Sequence, residues 1–242
     1  MSESGLPDGP WIGSQKWRKL LFAHYPADFN NLRGLIPSEF EIDRFDGDAW
    51  VGFVPFVMQG VRFRGLPSVP YVSSFLELNL RTYVTYRGHP GVYFFSLDAN
   101  RSLAVWAART FFHLPYFRAS MSLHPETHGL RYISDRTDRR GNLYGERGRF
   151  DCSYHGKQPI ETCQGDLIDW LTERYCFFTR TNDGRILRGD IHHAKWPLRA
   201  CEAEFRVNTL APSLGVTVRD ASPLLHYSEH LDVRVWPIQC VN

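Results

Sequence analysis

Residues 75–83 carry the polar groups best placed for chemistry, and their spacing is that of a β-strand. Polar residues alternate with leucines there, so Glu77, Asn79 and Arg81 share one face. At about 3.3 Å per residue, Glu77 and Arg81 lie about 13 Å apart and cannot pair with each other. If the face is buried, each charge needs another partner, because an unpaired buried ion costs on the order of several kcal/mol. One interpretation is a polar cavity; the other is a half-exposed antiparallel strand.

A second polar face follows further along the chain. Arg188, Asp190 and His192 are two residues apart, so they also share a face if the segment is a strand. The two faces could meet inside a barrel, with Glu77 pairing with Arg188 or Arg81 with Asp190. His192 would then be the group expected to titrate near neutral pH. A salt-bridged sheet face without a ligand explains the pattern equally well.

Many short strands and a few helices must position these residues. Tight turns are predicted at Asp46-Gly47, Arg87-Gly88 and Asn182-Asp183-Gly184. Three helices are predicted: Pro26 to Leu35, Arg101 to Phe112 with Asn100 as cap and Leu103 and Trp106 on its apolar face, and Asp166 to Arg174. The fold class is therefore α+β, mainly antiparallel, as a barrel or sandwich. We expect a flexible tail over residues 1–12 and a single domain over residues 13–242.

Composition limits the class of protein. Of the 242 residues, 43% are hydrophobic, and a net charge of +2 gives little general attraction to nucleic acid or membranes. The densest basic run, residues 131–149, predicts a hairpin tip at Gly141-Asn142, and only Tyr132 and Tyr144 could stack on bases there. No apolar run is long enough to span a bilayer, and the N-terminus has no signal-peptide core. We expect a soluble cytoplasmic protein that binds neither nucleic acid nor membrane, and homo-oligomerisation stays open.

Neither a metal nor a cofactor is predicted. The run His226-Tyr-Ser-Glu229-His230 matches the H-x-x-E-H pattern of some zinc peptidases. That pattern requires a helix, which brings histidines four residues apart onto one metal. Residues 226–239 alternate as a strand, which holds the two histidines about 13 Å apart. Neither a Ser nucleophile elbow nor a Gly-rich phosphate loop is present.

Several segments together resemble the DUF2071 family, which includes the YqjF-like bacterial proteins. The resemblance spans about Trp17 to Val241 and is carried by these segments: Asp46–Phe56, Glu77–Tyr83, Gly91–Asp98, Leu171–Tyr175, Gly189–His193 and Asp232–Pro237. The family is related to the acetoacetate decarboxylase superfamily, and this relationship implies a closed, cone-like β-barrel that encloses a small-molecule pocket.

The chain departs from the decarboxylases at one decisive place. There the resemblance implies Pro-Lys-Lys, with the first lysine forming a Schiff base, whereas this chain has Tyr116 and Phe117 after Pro115. The chain's lysines lie in other segments, at positions 16, 19, 157 and 195. The resemblance therefore supports the fold and pocket and argues against the decarboxylase activity.

Two functions remain open. The first is a pocket for a small organic acid or acyl metabolite, in a binder or in a lysine-independent enzyme of lyase or isomerase type. Its catalytic candidates are Glu77, His192 and Tyr116, and its binding candidates are Arg81 as anion partner, Asn79, Tyr83, Arg188 and Trp196. The second is a structural or interaction module whose interior is filled by the 35 Phe, Trp and Tyr residues. A pocket predicts an enclosed cavity, whereas the module predicts a packed interior with cross-strand ion pairs.

Overall fold

The fold is that of a computed structural model, which describes residues 6–68, 73–141 and 145–242. Residues 1–5 of the expected tail, and Asn142 and Tyr144 of the expected hairpin tip, lie outside the described residues. The helices are α1 (Phe29–Leu35), α2 (Ser102–Phe112) and α3 (Leu167–Thr172). The strands are β1 (Gly13–Ala27), β2 (Glu41–Ile42), β3 (Ala49–Phe63), β4 (Phe75–Tyr86), β5 (His89–Ala99), β6 (Tyr116–Glu126), β7 (Gly129–Arg136), β8 (Arg149–Pro159), β9 (Cys176–Arg180), β10 (Ile186–His193), β11 (Arg199–Asn208), β12 (Leu224–Val235) and β13 (Gln239–Cys240).

The strands form one sheet that curls back on itself, and most of its pairs are antiparallel, which confirms the predicted fold class. A central wall, in the order β12-β1-β3-β4-β5, belongs to two circuits of pairing. One circuit continues through β6, β7, β8 and β11, and the other through β9 and β10. Both depend on short links, since β5 pairs with β6 over three residues and with β9 over two, and β12 pairs with β11 over two and with β10 over three. The sheet is therefore barrel-like, with its closure dependent on these links.

The central wall separates two packed interiors, because successive side chains of a strand point to opposite faces. Leu78 and Leu80 of β4 pack with Tyr132 and Phe150 on the side of β6–β8 and β11, which we call the large interior. The opposite face packs on the side of β9 and β10, which we call the small interior. Its apolar lining comes from Leu20, Phe22, Val54, Phe56, Met58, Trp196, Leu198, Leu231 and Val233.

Helix α1 is shorter than predicted because β1 continues through Pro26 to Ala27. Asp28 is the N-cap of α1, and its side chain accepts the backbone N–H of Asn31 at 2.6 Å. Asp28 therefore stabilises the N-terminus of α1 by a hydrogen bond to an otherwise unpaired amide.

Helix α2 is present, but its predicted cap and buried face are wrong. The Asn100 side chain accepts the backbone N–H of Leu76 at 3.0 Å instead of capping the helix. Leu103 and Trp106 are 55% and 57% exposed, whereas Val105 is buried against β5 and β6. The neighbouring strands thus select a different stripe of the helix from the one that periodicity suggested. In the described residues, no helix is long and apolar enough to cross a membrane.

Candidate functional site

The polar face of β4 is buried, so the half-exposed interpretation of this strand is wrong. Glu77, Asn79 and Arg81 are 3%, 6% and 9% exposed. Glu77 lies opposite Phe56 of β3 in the antiparallel register, and directly opposed residues share a face. The guanidinium carbon of Arg81 lies 5.2 Å from the ring centre of Phe22. All three polar side chains therefore enter the small interior.

Glu77 forms a hydrogen-bonded pair with Tyr116. The Tyr116 hydroxyl donates to Glu77 Oε2 at 2.8 Å, across the link between β5 and β6. Burial raises the pKa of Glu77 to about 7, although hydrogen bonds from Tyr116 and Asn79 act in the opposite direction. Burial and the neighbouring carboxylate raise the pKa of Tyr116 well above its ordinary value. The pair is therefore a neutral phenol beside a carboxyl that can hold or release a proton near pH 7.

Arg81 is a buried cation without a carboxylate partner among the residues that the structure describes. Its Nη2 donates to the Leu171 carbonyl at 3.1 Å and lies 3.4 Å from the Tyr83 hydroxyl. Its Nε is buried and has no hydrogen-bond partner in the described ranges. Gly52, opposite Arg81 on β3, makes room for the His24 ring, since a Cβ there would lie 2.8 Å from that ring, whereas its 3.6 Å distance to Arg81 Cγ would be an ordinary contact.

Asn79 lies between the two charged groups and has an unsatisfied acceptor. Its Oδ1 is buried without a partner within the described parts of the chain, whereas its amide contributes to lowering the pKa of Glu77. An unpaired buried carbonyl oxygen costs about 1–3 kcal/mol. Two unsatisfied polar atoms, Asn79 Oδ1 and Arg81 Nε, therefore belong to neighbouring side chains of the same strand face.

The small interior also contains His24 and His226, neither of which is among the predicted site residues. His24 Nε2 lies 2.8 Å from the Tyr83 hydroxyl. Burial and then the positive charge of Arg81 hold the pKa of His24 well below its ordinary value, and burial lowers that of His226 to about 4. Both imidazoles are neutral at pH 7, so they bring no second positive charge to the site. The sequence signal for His24 was its position two residues after Phe22 in β1, which places both side chains on the same face of the strand.

The structure brings His193, not His192, to the side of Arg81. His193 is 3% exposed, its Nδ1 lies 2.8 Å from the Ala194 carbonyl oxygen, and its ring packs edge-on against Trp196 at 5.2 Å. Burial lowers the pKa of His193, and the charge of Arg81 contributes to this. His192 follows on the opposite face of β10, where its ring is 6.2 Å from that of Tyr175.

The expected ion pairs between the two polar strands are wrong. Arg188 Nε binds the carboxylate of Asp190, two residues along the same strand, at 2.7 Å. These residues lie opposite Phe178 and Cys176, whose side chains belong to the cluster of the large interior. Because Arg188 and Asp190 share the face of Phe178, they lie on the side of β10 that is turned away from the small interior. Strand alternation identified the two polar faces, but it could not show on which side of the wall each would lie.

Trp196, one of the predicted binding residues, lies in the small interior. Its indole N–H donates to the Thr172 carbonyl at 2.9 Å, and its ring meets that of Phe22 edge-on at 4.9 Å. Trp17 stacks on its other side at 5.7 Å. Phe22, Trp17 and Trp196 thus form a packed aromatic cluster in the small interior.

The clefts found on the described surface lie elsewhere. One of about 660 Å³ is lined in part by Gly129, Gly156 and Tyr227, and another is lined by residues 125–128. Neither cleft contains a side chain of the Glu77 face. The small interior thus combines the packed aromatic core expected of a module with the unpaired polar groups expected of a binding site.

Three of the four lysines have partners at the surface. Lys16 lies 3.9 Å from a carboxylate oxygen of Asp232, and Lys157 pairs with Glu202. Lys195 donates to the Thr162 carbonyl at 2.6 Å.

The H-x-x-E-H segment lies in β12, so its histidines do not meet as they would on a helix. The described residues contain no group of three or more His, Cys, Asp or Glu side chains arranged to hold a metal ion.

Comparisons with known proteins agree on family and fold. The model of the DUF2071 family, described as "Uncharacterized conserved protein", matches residues 14–232. The chain is 45% identical over 235 residues to "Uncharacterized protein YqjF" of Bacillus subtilis (strain 168), which covers 97% of this chain and 94% of that protein. Among solved structures, "Enduracididine biosynthesis enzyme MppR complexed with pyruvate" matches with a TM-score of 0.63 and 11% identity, over 100% of this chain and 93% of that chain. Acetoacetate decarboxylase from Legionella pneumophila matches with a TM-score of 0.62 and 16% identity, over 99% and 94%. At these identities the structural matches show the fold alone, which is acetoacetate decarboxylase-like.

Proposed function

The chain belongs to the DUF2071 family, and from this premise we propose that its small interior binds a small organic acid or acyl metabolite through the guanidinium of Arg81. The supporting observation is the charge of Arg81, which is buried without a carboxylate in the described structure. An isolated buried cation is costly, and a ligand carboxylate would neutralise it while accepting from Nε. An oxyanion on Arg81 is therefore the first element of recognition.

The remaining contacts of the ligand come from the same face. Asn79 Oδ1 requires a donor, which a hydroxyl group of a hydroxy acid would supply. The rings of Phe22 and Tyr83 lie beside the Arg81 guanidinium, and Trp196 packs on Phe22, so these rings would enclose the apolar part of the ligand. One of the fold neighbours is an enzyme complexed with pyruvate, so a keto acid is the first probe.

If the protein is an enzyme, its chemistry is acid/base catalysis by Glu77 and Tyr116 without a lysine. Glu77 would take or give the proton, and the neutral Tyr116 hydroxyl would donate to the developing enolate oxygen. His193 takes the place of His192 as the candidate catalytic histidine, since His192 and Arg188 lie on the other face of β10. Tyr116 stands where the family resemblance implies the Schiff-base lysine of the decarboxylases.

A thermal-shift screen tests the binding proposal. The purified protein is heated with pyruvate, other keto acids, hydroxy acids and acyl metabolites, and each hit is repeated with its uncharged methyl ester. A ligand at about 100 times its Kd should add roughly 2.7 kcal/mol to the unfolding free energy. The shift should vanish for the ester and in Arg81→Met. It should persist in Arg131→Met, whose arginine pairs with Asp151 outside the small interior.

Failure of the screen would favour the second candidate, a module without a ligand. The specific observation in its favour is the packing of Phe22, Trp196 and Trp17 against each other in the small interior. Stabilisation that survives in Arg81→Met would also contradict the proposed anion site, because it would place the ligand elsewhere.

A further inference from the structure

Strand β7 places two large polar side chains in the large interior. Tyr132 and Arg136 are 0% and 1% exposed, and they are four positions apart, so they share one face of the strand. Both reach the central wall directly behind the Glu77–Tyr116 pair.

Tyr132 is hydrogen-bonded to the backbone of Glu77 from the large interior. Its hydroxyl donates to the Glu77 carbonyl oxygen at 2.8 Å, and the Phe56 carbonyl oxygen lies 3.4 Å away. The side chain of Glu77 meets Tyr116 on the other face of the same strand. The hydrogen bond of Tyr132 therefore fixes the residue from which the carboxyl of the pair extends.

Arg136 holds the strand that carries Tyr116. Its Nε lies 3.1 Å from each carboxylate oxygen of Asp98, and its Nη2 lies 2.8 Å from one of them. Asp98 on β5 is in register with Phe117 on β6, the residue after Tyr116, and the guanidinium lies 4.5 Å from the Phe117 ring centre. Arg136 thus spans from β7 across β6 to β5, where the two parallel strands pair over only three residues.

We propose that Tyr132 and Arg136 are positioning residues, which hold Glu77 and Tyr116 at hydrogen-bonding distance from the opposite side of the wall. The inference rests on the proposed function of that pair as the acid/base group of the small interior. Each positioning residue acts on one member: Tyr132 on the backbone of Glu77, and Arg136, through Asp98 and Phe117, on the strand of Tyr116.

The test follows the Glu77 carboxyl by carbon-13 NMR titration, with its resonance assigned by its loss in Glu77→Gln. The variants are Tyr132→Phe and Arg136→Lys. The control for the tyrosine is Tyr154→Phe, another buried tyrosine, whose hydroxyl donates to the Lys19 carbonyl at 2.7 Å. The control for the arginine is Arg174→Lys, which pairs with Asp43. Thermal unfolding of every variant measures the purely structural effect.

We expect the midpoint of Glu77 to rise by about half a pH unit or more in both test variants and to stay unchanged in both controls. The rise follows because the Tyr116 hydrogen bond favours the charged carboxylate, so a misplaced Tyr116 favours the protonated form. The midpoint in Tyr116→Phe sets the upper limit. If Arg136→Lys does not fold, Tyr132→Phe decides the test.

An unchanged midpoint in Tyr132→Phe, with a melting temperature as low as that of Tyr154→Phe, would overturn the proposal and leave Tyr132 a structural residue. An equal rise in Tyr154→Phe would overturn it as well. The titration needs no ligand, so a screen without hits would defeat the proposed binding function and still leave this result readable.

Discussion

Two buried arginines lie in the two interiors of this protein, and they differ in how their charge is neutralised. Arg136, in the large interior, has a bidentate partner in Asp98, and both side chains are fully buried. Arg81, in the small interior, has a backbone carbonyl, a tyrosine hydroxyl and aromatic faces around it, and no carboxylate within the described structure. A complete ion pair is what a purely structural cation requires, whereas an incomplete one is typical of a binding group.

Two of the buried carboxyls, Asp98 and Glu77, follow the same division. Burial raises the pKa of Asp98 to about 6, although Arg136 opposes the shift. Burial raises that of Glu77 to about 7, with only neutral hydrogen-bond donors to oppose it. The large interior thus contains a matched pair of charges, and the small interior contains an acid and a cation about 13 Å apart along one strand. The buried charges of the large interior are therefore paired with each other, whereas Glu77 and Arg81 of the small interior have no partner of opposite charge within the described structure.

Removal of the Asp98–Arg136 ion pair should cause the largest loss of unfolding free energy. Arg136→Met leaves Asp98 buried without its partner, so the unfolding free energy should fall by about 3–5 kcal/mol. Urea unfolding at pH 7 measures the loss. The control is Arg131→Met, which breaks a part-exposed pair worth about 0.2–1 kcal/mol. A loss no larger than that of the control would show that the Asp98–Arg136 pair is not a structural anchor.

The next effect is the pH dependence that Glu77 imposes. Its folded pKa of about 7 lies above the ordinary 4.5, so the native state holds the proton more tightly and loses stability as the pH rises from about 4.5 to 7. Glu77→Gln removes this loss. The unfolding free energy of the variant relative to that of the wild type should therefore rise by about 3 kcal/mol between pH 4 and pH 8. Urea unfolding at both pH values checks it, and parallel pH profiles would contradict a buried titrating carboxyl.

A smaller effect should come from the phenol of the pair. Tyr116→Phe removes a hydrogen bond to the carboxylate and should cost about 1.5 kcal/mol at pH 8, where Glu77 is charged. The cost should be lower at pH 5, where the carboxyl is protonated, since the pKa of Glu77 should rise in the variant. An equal cost at both pH values would mean that the phenol packs in the interior without stabilising the carboxylate.

The fold could be predicted from the sequence to the level of class and family. Alternation of polar and apolar residues predicted β4, and Asp-Gly and Asn-Asp-Gly turns predicted hairpins, because these signals are local. The buried face of α2 could not be predicted in this way. Which stripe a short helix buries depends on the strands beneath it, and here Val105 contacts them instead of Leu103.

The site could be predicted only in part, for the same reason. The shared face of Glu77, Asn79 and Arg81 follows from the period of a strand, and so does the separation of the two charges. The choice between His192 and His193 depends on which face of β10 turns inward, and two adjacent histidines give no local signal for that. Asp190 pairs with Arg188 and not with Arg81, and this choice also depends on the three-dimensional arrangement of the wall.

The smallest change in unfolding free energy is expected for Arg81→Met, in the small interior. Arg81→Met replaces a buried cation that lacks a carboxylate with an apolar side chain of similar length. The variant loses the hydrogen bond to the Leu171 carbonyl, but it is freed from the cost of burying an unneutralised charge, so the unfolding free energy without ligand should change by less than about 1 kcal/mol. Urea unfolding beside Arg136→Met provides the direct contrast. A loss of about 3 kcal/mol or more would make Arg81 as structural as Arg136, because such a loss would require that its surroundings already neutralise its charge, and the small interior would then have no place for an anion.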